Sequence, residues 1–444
     1  MMNIQLSDHF TYKKLFRFTL PSIIMMVFTS IYGVVDGFFV SNFAGKTSFA
    51  AVNLIMPFVM ILGGVGFMIG TGGTALVSKV LGEGRKELAN RYFSMMIYAT
   101  LILGAVLSVF GLAFMKPIAA LLGATEEMMA DCVLYGRLVI GFNAAFMLQN
   151  VFQNFFIAAE KPKLGLYTTV AAGTANIVLD ALFVGVFRWG VAGAAIATGI
   201  SQCVGGILPL FYFLRPGGSL LRLTKTRLEI SPVLRAFGNG SSELMSNISS
   251  SVVSMLYNFQ LLKYVGENGV SAYGVLMYVQ FVFIAIFIGY SIGSAPVISY
   301  HYGAGNHQEL KSMLKKSILL MNGSGVVLCA LAFSLAEPLA QIFVGYDEEL
   351  LALTSHAFRL FSCSFLLAGF NIFVSSFFTA LNNGAVSAAV SFLRTLVFQT
   401  SSVLILPVFF GIDGIWWAIT VAEACACIIS VMFLFAKRKK YQYL

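Results

Sequence analysis

Twelve long apolar runs separated by short polar breaks leave this chain very few ways to fold. The runs cover 16–41, 51–77, 92–115, 131–158, 164–187, 190–214, 236–262, 272–300, 314–336, 352–380, 386–409 and 413–436. About 20 residues of helix cross the hydrocarbon core of a bilayer, so each run is long enough for one crossing. Polar and apolar residues do not alternate with period two in these runs, which excludes a transmembrane barrel. Backbone groups in lipid must be satisfied within the segment, and only helices then remain. The expected fold class is an all-α integral membrane protein with twelve transmembrane helices. Charged residues make up only 11% of the chain, against about 25% in a soluble domain.

The net charge of +9 does not point to nucleic acid, because the basic residues fall in alternate breaks. One set of breaks and ends holds 21 Lys and Arg, including Lys13, Lys14, Arg85, Lys86, Lys311, Lys315, Arg438 and Lys439. The other set holds only Lys46, Lys116, Arg188 and Lys263. Basic loops stay on the cytoplasmic side, which predicts a multi-pass protein of the cell (cytoplasmic) membrane with both termini inside. No short apolar core with a small-residue cleavage site opens the chain, so the first span is expected to stay attached.

Cys132, Cys203, Cys329, Cys363, Cys425 and Cys427 form no C-x-x-C pair and read as small buried apolar residues. His9, His301, His307 and His356 are scattered, so no structural metal is expected. No phosphate-binding G-x-x-x-x-G-K-[ST] loop occurs. Gly63-Gly64-Val65-Gly66 and Gly70-Thr71-Gly72-Gly73 lie inside an apolar run and read as helix-packing surfaces. No nucleophile with a matched base is apparent either, so neither ATP-driven transport nor a membrane enzyme is expected, and no cofactor is implied.

A constant shift of 221 residues superposes the two halves. Phe43-Ala44-Gly45 meets Tyr264-Val265-Gly266, Gly82-Glu83-Gly84 meets Gly303-Ala304-Gly305, and Gly190 with Gly193 meets Gly411 with Gly414. Each half has an even number of spans, so the repeats are parallel, a common transporter plan with the substrate path between halves. The expected division is a six-helix lobe over 1–214, a cytoplasmic linker over 215–235 containing Pro216-Gly217-Gly218, and a second six-helix lobe over 236–444.

Within this apolar frame Asp180 stands out, in the unbroken stretch 175–182, with Asn176 one turn before it on the same face. A carboxylate at bilayer depth costs a few kcal/mol or more, and such acids line ion or substrate paths. Asp36 repeats the anomaly in the first span. Tyr135 and Thr198 fall at a similar depth, so Asp36, Tyr135, Asn176, Asp180 and Thr198 can form one site for a proton or a small hard cation. Tyr135 and Thr198 read equally well as ordinary interhelical hydrogen bonders. The second half does not copy the site: the equivalent residues are Tyr257, His356, Val397, Ser401 and Ile419. Glu243 and Glu423 have no acidic counterpart in the first half. Glu243 is a candidate substrate contact, and Pro21, fifteen residues before Asp36, is a candidate hinge.

At these residues the chain resembles the multidrug and toxic compound extrusion family, over essentially its whole length, and within it the DinF-like and MepA-like branch. The resemblance rests on Pro21, Asp36, Tyr135, Asn176, Asp180 and Thr198. It implies a secondary antiporter exporting organic cations or other amphipathic compounds by alternating access, driven by inward proton or sodium flow at the first-lobe site. It also implies that ion binding at the position of Asp36 accompanies bending at Pro21. Sodium, if used, is expected at Asp36, Asn176 and Asp180. Other transporters of the family add a second-lobe acid cluster, of which only Glu243 is matched here. The expected partners are small molecules and membrane lipid, with the protein acting as a monomer. The competing reading is a dedicated flippase or exporter of a lipid-linked precursor or metabolite.

Overall fold

The computed structural model describes residues 4–215, 217 and 219–444, without the side chains of Ser41 and Lys46. Pro216 and Gly218 of the expected linker lie outside the described residues. Fifteen α-helices follow in order: α1 Tyr12–Phe39, α2 Lys46–Gly82, α3 Lys86–Leu121, α4 Glu126–Gly141, α5 Asn143–Ala158, α6 Pro162–Asp180, α7 Gly190–Leu214, α8 Ile230–Tyr264, α9 Glu267–Gly303, α10 His307–Ser334, α11 Ala336–Val344, α12 Glu348–Ser362, α13 Phe365–Ala380, α14 Gly384–Phe392 and α15 Gln399–Tyr441. Three π-helical turns, Val40–Ala44, Ala181–Val186 and Leu393–Phe398, follow α1, α6 and α14 without a break. No strand occurs among the described residues.

Among the described residues, eight helical segments are long and apolar enough to cross a membrane, and ten if each of two bent pairs counts as one span. The bent pairs are α4 with α5, at 51°, and α12 with α13, at 49°. The segment Gly384–Tyr441 is 58 residues long, about 87 Å of helix, which is far too long for one crossing. It reverses at Gly411, whose φ of 59° and ψ of −136° suit only a residue without a side chain. Helix α8 is the remaining crossing: its many serines and asparagines lower its hydropathy, yet it stands at the repeat position of α1. The architecture is therefore twelve helices in two lobes, with α7 matching its apolar run at 190–214 and the other crossings longer than theirs.

Both bends interrupt runs expected to be continuous. They fall at Phe142 and Cys363, which are repeat-equivalent. The first has a visible cause: a Cβ on Gly199 would lie 2.1 Å from the Phe142 ring, so the bend seats that ring on the backbone of α7. The repeat is equally plain at turns. Gly45 and Gly266, Gly84 and Gly305, and Gly190 and Gly411 are paired across the halves, and all have positive φ.

The segment between the lobes differs from the expected linker. Helix α8 begins at Ile230, inside 215–235. Before it, Arg222 and Thr224 donate their N–H groups to Asn90 Oδ1 and Ser94 Oγ at 2.9 and 2.8 Å, and Leu221 is buried in the first lobe's core. The linker is thus pinned along α3. The cysteines also correct an expectation: all six are free, but only Cys132 is fully buried. The others are partly buried, Cys363 at the bend between α12 and α13 and the rest on helices.

The first lobe has two buried clusters, one around Phe93, Phe152, Phe155 and Phe213 and one around Ile55, Tyr135 and Val139. The second lobe's core takes in Leu6, Phe10, Leu15 and Phe18 from the start of the chain. The lobes meet through α1 on α9 and through α2 on α8 and α9. At the crossing of α2 and α8 a Cβ on Gly72 would lie 1.9 Å from the Ala236 carbonyl oxygen, and one on Gly240 1.9 Å from that of Met68.

These contacts gather toward the face carrying both chain ends. There residues 6–10 strap the lobes together. The Leu6 N–H donates to Glu160 Oε1 of the first lobe at 2.7 Å. The Phe10 N–H donates to Glu309 Oε1 of the second at 2.9 Å, and His9 Nδ1 lies 2.6 Å from Glu309 Oε2. The interlobe hydrogen bond farthest along α1, among the described residues, is Ser30 Oγ to the Phe281 carbonyl at 3.4 Å.

Candidate functional site

Close packing of α1 on α6 builds the site. A Cβ on Gly173 would lie 2.5 Å from the Phe28 ring and 2.8 Å from that of Tyr32, so both rings of α1 rest on bare α6 backbone. Asn176 and Asp180 continue that face of α6 at i+3 and i+7 from Gly173. Asp36 lies one turn beyond Tyr32 on α1. The two acids are thereby brought face to face, Asp180 at 0% exposure and Asp36 at 8%. Each carboxyl group lies within electrostatic range of the other. Oδ1 of Asp36 and both oxygens of Asp180 have no hydrogen-bond partner, and neither acid has an ion pair among the described residues.

Tyr135 comes from α4, which the Ile55 cluster holds against α2 and α3. It is fully buried with an unpartnered hydroxyl, in electrostatic range of both acids. Helix α7 packs on α4 and α6 and carries Thr198, whose buried hydroxyl is unpartnered as well. Asn176 Nδ2 completes the set of unpartnered atoms. Asp36, Asp180 and Tyr135 therefore lie within electrostatic range of one another, whereas Asn176 and Thr198 are positioned by their helices.

Two further residues belong here that the sequence reading missed. Tyr32 lies in electrostatic range of Asp36 and close to Gln149, and Gln202 is buried with an unpartnered Oε1. Both stand four residues from a recognised site residue, Tyr32 before Asp36 and Gln202 after Thr198, so helical spacing alone carried the signal.

Unpartnered buried polar atoms are uncommon because each costs about 1–3 kcal/mol. Here they cluster: carboxylates, a phenol, a hydroxyl and amides from four helices. Two adjacent buried carboxylates repel strongly in a low-dielectric interior unless a proton or cation lies between them. The donor set is oxygen-rich and without thiol or imidazole, which suits a proton or a hard cation and not a soft metal. π-helical turns begin immediately after Asp180 and four residues after Asp36, and the two turns pack on each other. Single π turns recur at functional sites.

Pro21 is buried in α1, which stays helical through it. A Cβ on Gly289 of α9 would lie 2.6 Å from Ile23 Cα, so the second lobe backs α1 directly beside this proline. Glu243 lies on α8, one turn beyond the Gly240 crossing, and its carboxylate has no ion pair or hydrogen bond among the described residues. Glu423 is different. Arg394 grips it at 2.9 and 3.0 Å through Nε and at 2.7 Å through a terminal nitrogen, and Asn371 Nδ2 donates at 2.7 Å. At the position of Asp36 the second lobe has Tyr257, stacked on Tyr273 with centroids 4.9 Å apart.

The sequence matches a family model described as MatE over residues 21–182 and 244–403. It is 24% identical over 434 residues to "Multidrug export protein MepA" of Staphylococcus aureus, covering 97% of this chain and 94% of that one. A protein of the same description from Staphylococcus saprophyticus is 24% identical over 439 residues with the same coverage. Among solved structures, "Crystal structure of MATE in complex with MaL6" superposes with a TM-score of 0.93 at 22% identity, covering 100% of both chains. "Outward-facing conformation of a multidrug resistance MATE family transporter of the MOP superfamily" also gives 0.93 at 22% identity, covering 100% of this chain and 99% of that one.

Proposed function

The chain belongs to the multidrug and toxic compound extrusion (MATE) family and is thus a multi-pass membrane transporter, and from that premise we propose that it is a secondary antiporter exporting organic cations and other amphipathic compounds in exchange for inward protons or sodium. The observation that carries this reading is the Asp36–Asp180 pair: two buried acids, no cationic side chain, and a surrounding ring of unpartnered oxygen and nitrogen atoms. A proton or sodium ion entering between them relieves their repulsion, and its departure restores it. Because α1 carries Asp36 at one end and packs on the second lobe at the other, a change at the acids acts on the lobe interface through Pro21. Tyr135, Asn176 and Thr198 complete the shell, and Glu243 faces cationic substrate from the second lobe.

In this reading the arrangement closed at the face of the chain ends is the outward-open state, with that face cytoplasmic in the cell membrane and a single copy sufficient for transport. Export then alternates by rocking the lobes. Reconstitution into liposomes with separately imposed proton and sodium gradients, following efflux of a fluorescent organic cation, tests it. Efflux driven by one gradient and lost in Asp180→Asn supports the proposal, while equal rates with no gradient overturn it.

A further inference from the structure

The end of α15 and the start of α10 flank an open cavity of about 450 Å³ lined by His307, Lys311, Arg438, Lys439, Gln442 and Leu444. Three side chains bring fixed positive charge and none brings a carboxylate. Lys311, Arg438 and Lys439 have no ion pair among the described residues. The first turn of α10, the positive end of its dipole, borders the same space through His307, although the His307 and Glu309 N–H groups already donate to the Gly305 carbonyl and Asn306 Oδ1.

Its walls are fixed. Gln442 takes a left-handed conformation, φ 53° and ψ 41°, which folds the chain back after the helix. Tyr443 is then buried, its hydroxyl donating to the Leu434 carbonyl at 2.9 Å and its ring edge-on to Phe377. His307 Nδ1 donates to the Tyr441 carbonyl at 3.2 Å and ties α10 to α15. The Arg438 guanidinium lies over the Phe435 ring at 5.6 Å.

From this cavity an apolar track runs along α15 toward the membrane centre. Ile428, Met432 and Phe435 are exposed and spaced i, i+4, i+7, so they form one stripe that ends at Arg438 and Lys439. A cationic pocket at the head of a lipid-facing stripe has the chemistry of a phospholipid: phosphate at the interface and chain below. We propose that this cavity holds the phosphodiester headgroup of an anionic phospholipid, with an acyl chain along Ile428, Met432 and Phe435. The stripe favours a lipid over free phosphate, which needs no apolar track. Bound there, the lipid braces α10 against α15 and makes the second lobe's stability depend on anionic lipid.

The test uses delipidated full-length protein in detergent, titrated with phosphatidylglycerol or phosphatidylcholine, reading bound lipid by native mass spectrometry and the unfolding temperature. Phosphatidylglycerol is expected to remain bound and raise the unfolding temperature, with phosphatidylcholine much weaker. Lys311→Gln/Arg438→Gln/Lys439→Gln is expected to lose at least about tenfold in phosphatidylglycerol affinity, and Met432→Ser/Phe435→Ser to weaken it as well. Lys311→Arg/Lys439→Arg is expected to hold wild-type affinity, which keeps the test valid if the triple variant folds poorly. Arg222→Gln/Lys225→Gln/Arg227→Gln removes the same charge from the linker and is expected to bind normally. Equal losses in the linker and pocket variants would mean diffuse surface charge and overturn the site. Inorganic phosphate matching the stabilisation by phosphatidylglycerol would overturn the lipid assignment.

Discussion

Gly82 and Gly303, 221 residues apart and repeat-equivalent, meet the opposite lobe in the same way. A Cβ on Gly82 would lie 2.0 Å from the Tyr300 carbonyl oxygen, and one on Gly303 2.0 Å from that of Lys79. Lys79 and Tyr300 are themselves repeat-equivalent, so a pseudo-twofold passes between α2 and α9. The internal symmetry used to fold each lobe is used again where the lobes touch.

Gly82→Leu and Gly303→Leu should therefore act alike. Each side chain would have to displace backbone, and the closed contact at this face is lost. A cysteine at Asn382, whose Nδ2 donates to the Ala75 carbonyl across the interface at 3.2 Å, should react with a thiol reagent faster in either variant. Unchanged labelling in both would argue against a gate built on backbone contact.

Asp36→Asn and Asp180→Asn keep the volume of each site residue and remove its charge. Each is expected to abolish gradient-driven efflux with normal expression and membrane insertion. Ser401→Ala, at the repeat position of Asp180, is expected to transport within about twofold of wild type, since no side chain there meets an acid pair. Wild-type efflux by Asp180→Asn under both gradients would remove the first-lobe site from the mechanism.

Arg394 and Glu423 form a buried pair, the carboxylate at 2% side-chain exposure. Removing one partner of such a pair costs roughly 3–5 kcal/mol, whereas replacing both with apolar residues of similar size is often neutral. Arg394→Met should lower the thermal stability of the purified protein strongly, and Arg394→Met/Glu423→Met should recover most of it. A double variant as weak as the single would show that the pair does more than neutralise itself.

Glu160 lies in the turn between α5 and α6, and burial pushes its carboxyl above the ordinary glutamate value despite the Leu6 N–H it accepts. A carboxyl raised in the folded state contributes stability that is full below its unfolded value and is lost as pH rises through the folded one. Glu160→Gln keeps an acceptor for Leu6 and cannot titrate. Its unfolding temperature should decline less than the wild type's as pH rises above about 4.5; parallel curves would exclude this group.

Much of this was legible in the sequence because it follows from hydropathy and spacing. Twelve runs, a 221-residue shift, and acids without breakers gave the spans, the lobes and Asp36 with Asp180. What escaped depends on contacts between distant segments. The bend at Phe142 needs the bare backbone of Gly199, fifty-seven residues away, and nothing near Phe142 announces it. The sequence marked Glu423 only as an acid without a first-half counterpart, because its partner, Arg394, belongs to the preceding crossing. The division at 215–235 overlooked that Leu6 to Phe18 packs into the second lobe, since local pattern does not reveal which neighbour an apolar face will choose. Tyr32 and Gln202 were within reach of the one-turn rule and were passed over.

The strap at the start of the chain sets a limit of reach. Leu6 is held by the first lobe and Phe10 by the second, and four residues of fully extended chain span at most about 14 Å. While both hooks hold, the lobes can part at that point only as far as the slack in this short leash allows. A wider opening must first unhook Glu160 or Glu309, which makes the leash a stop on the stroke, with the release of one hydrogen-bonded end as its trigger.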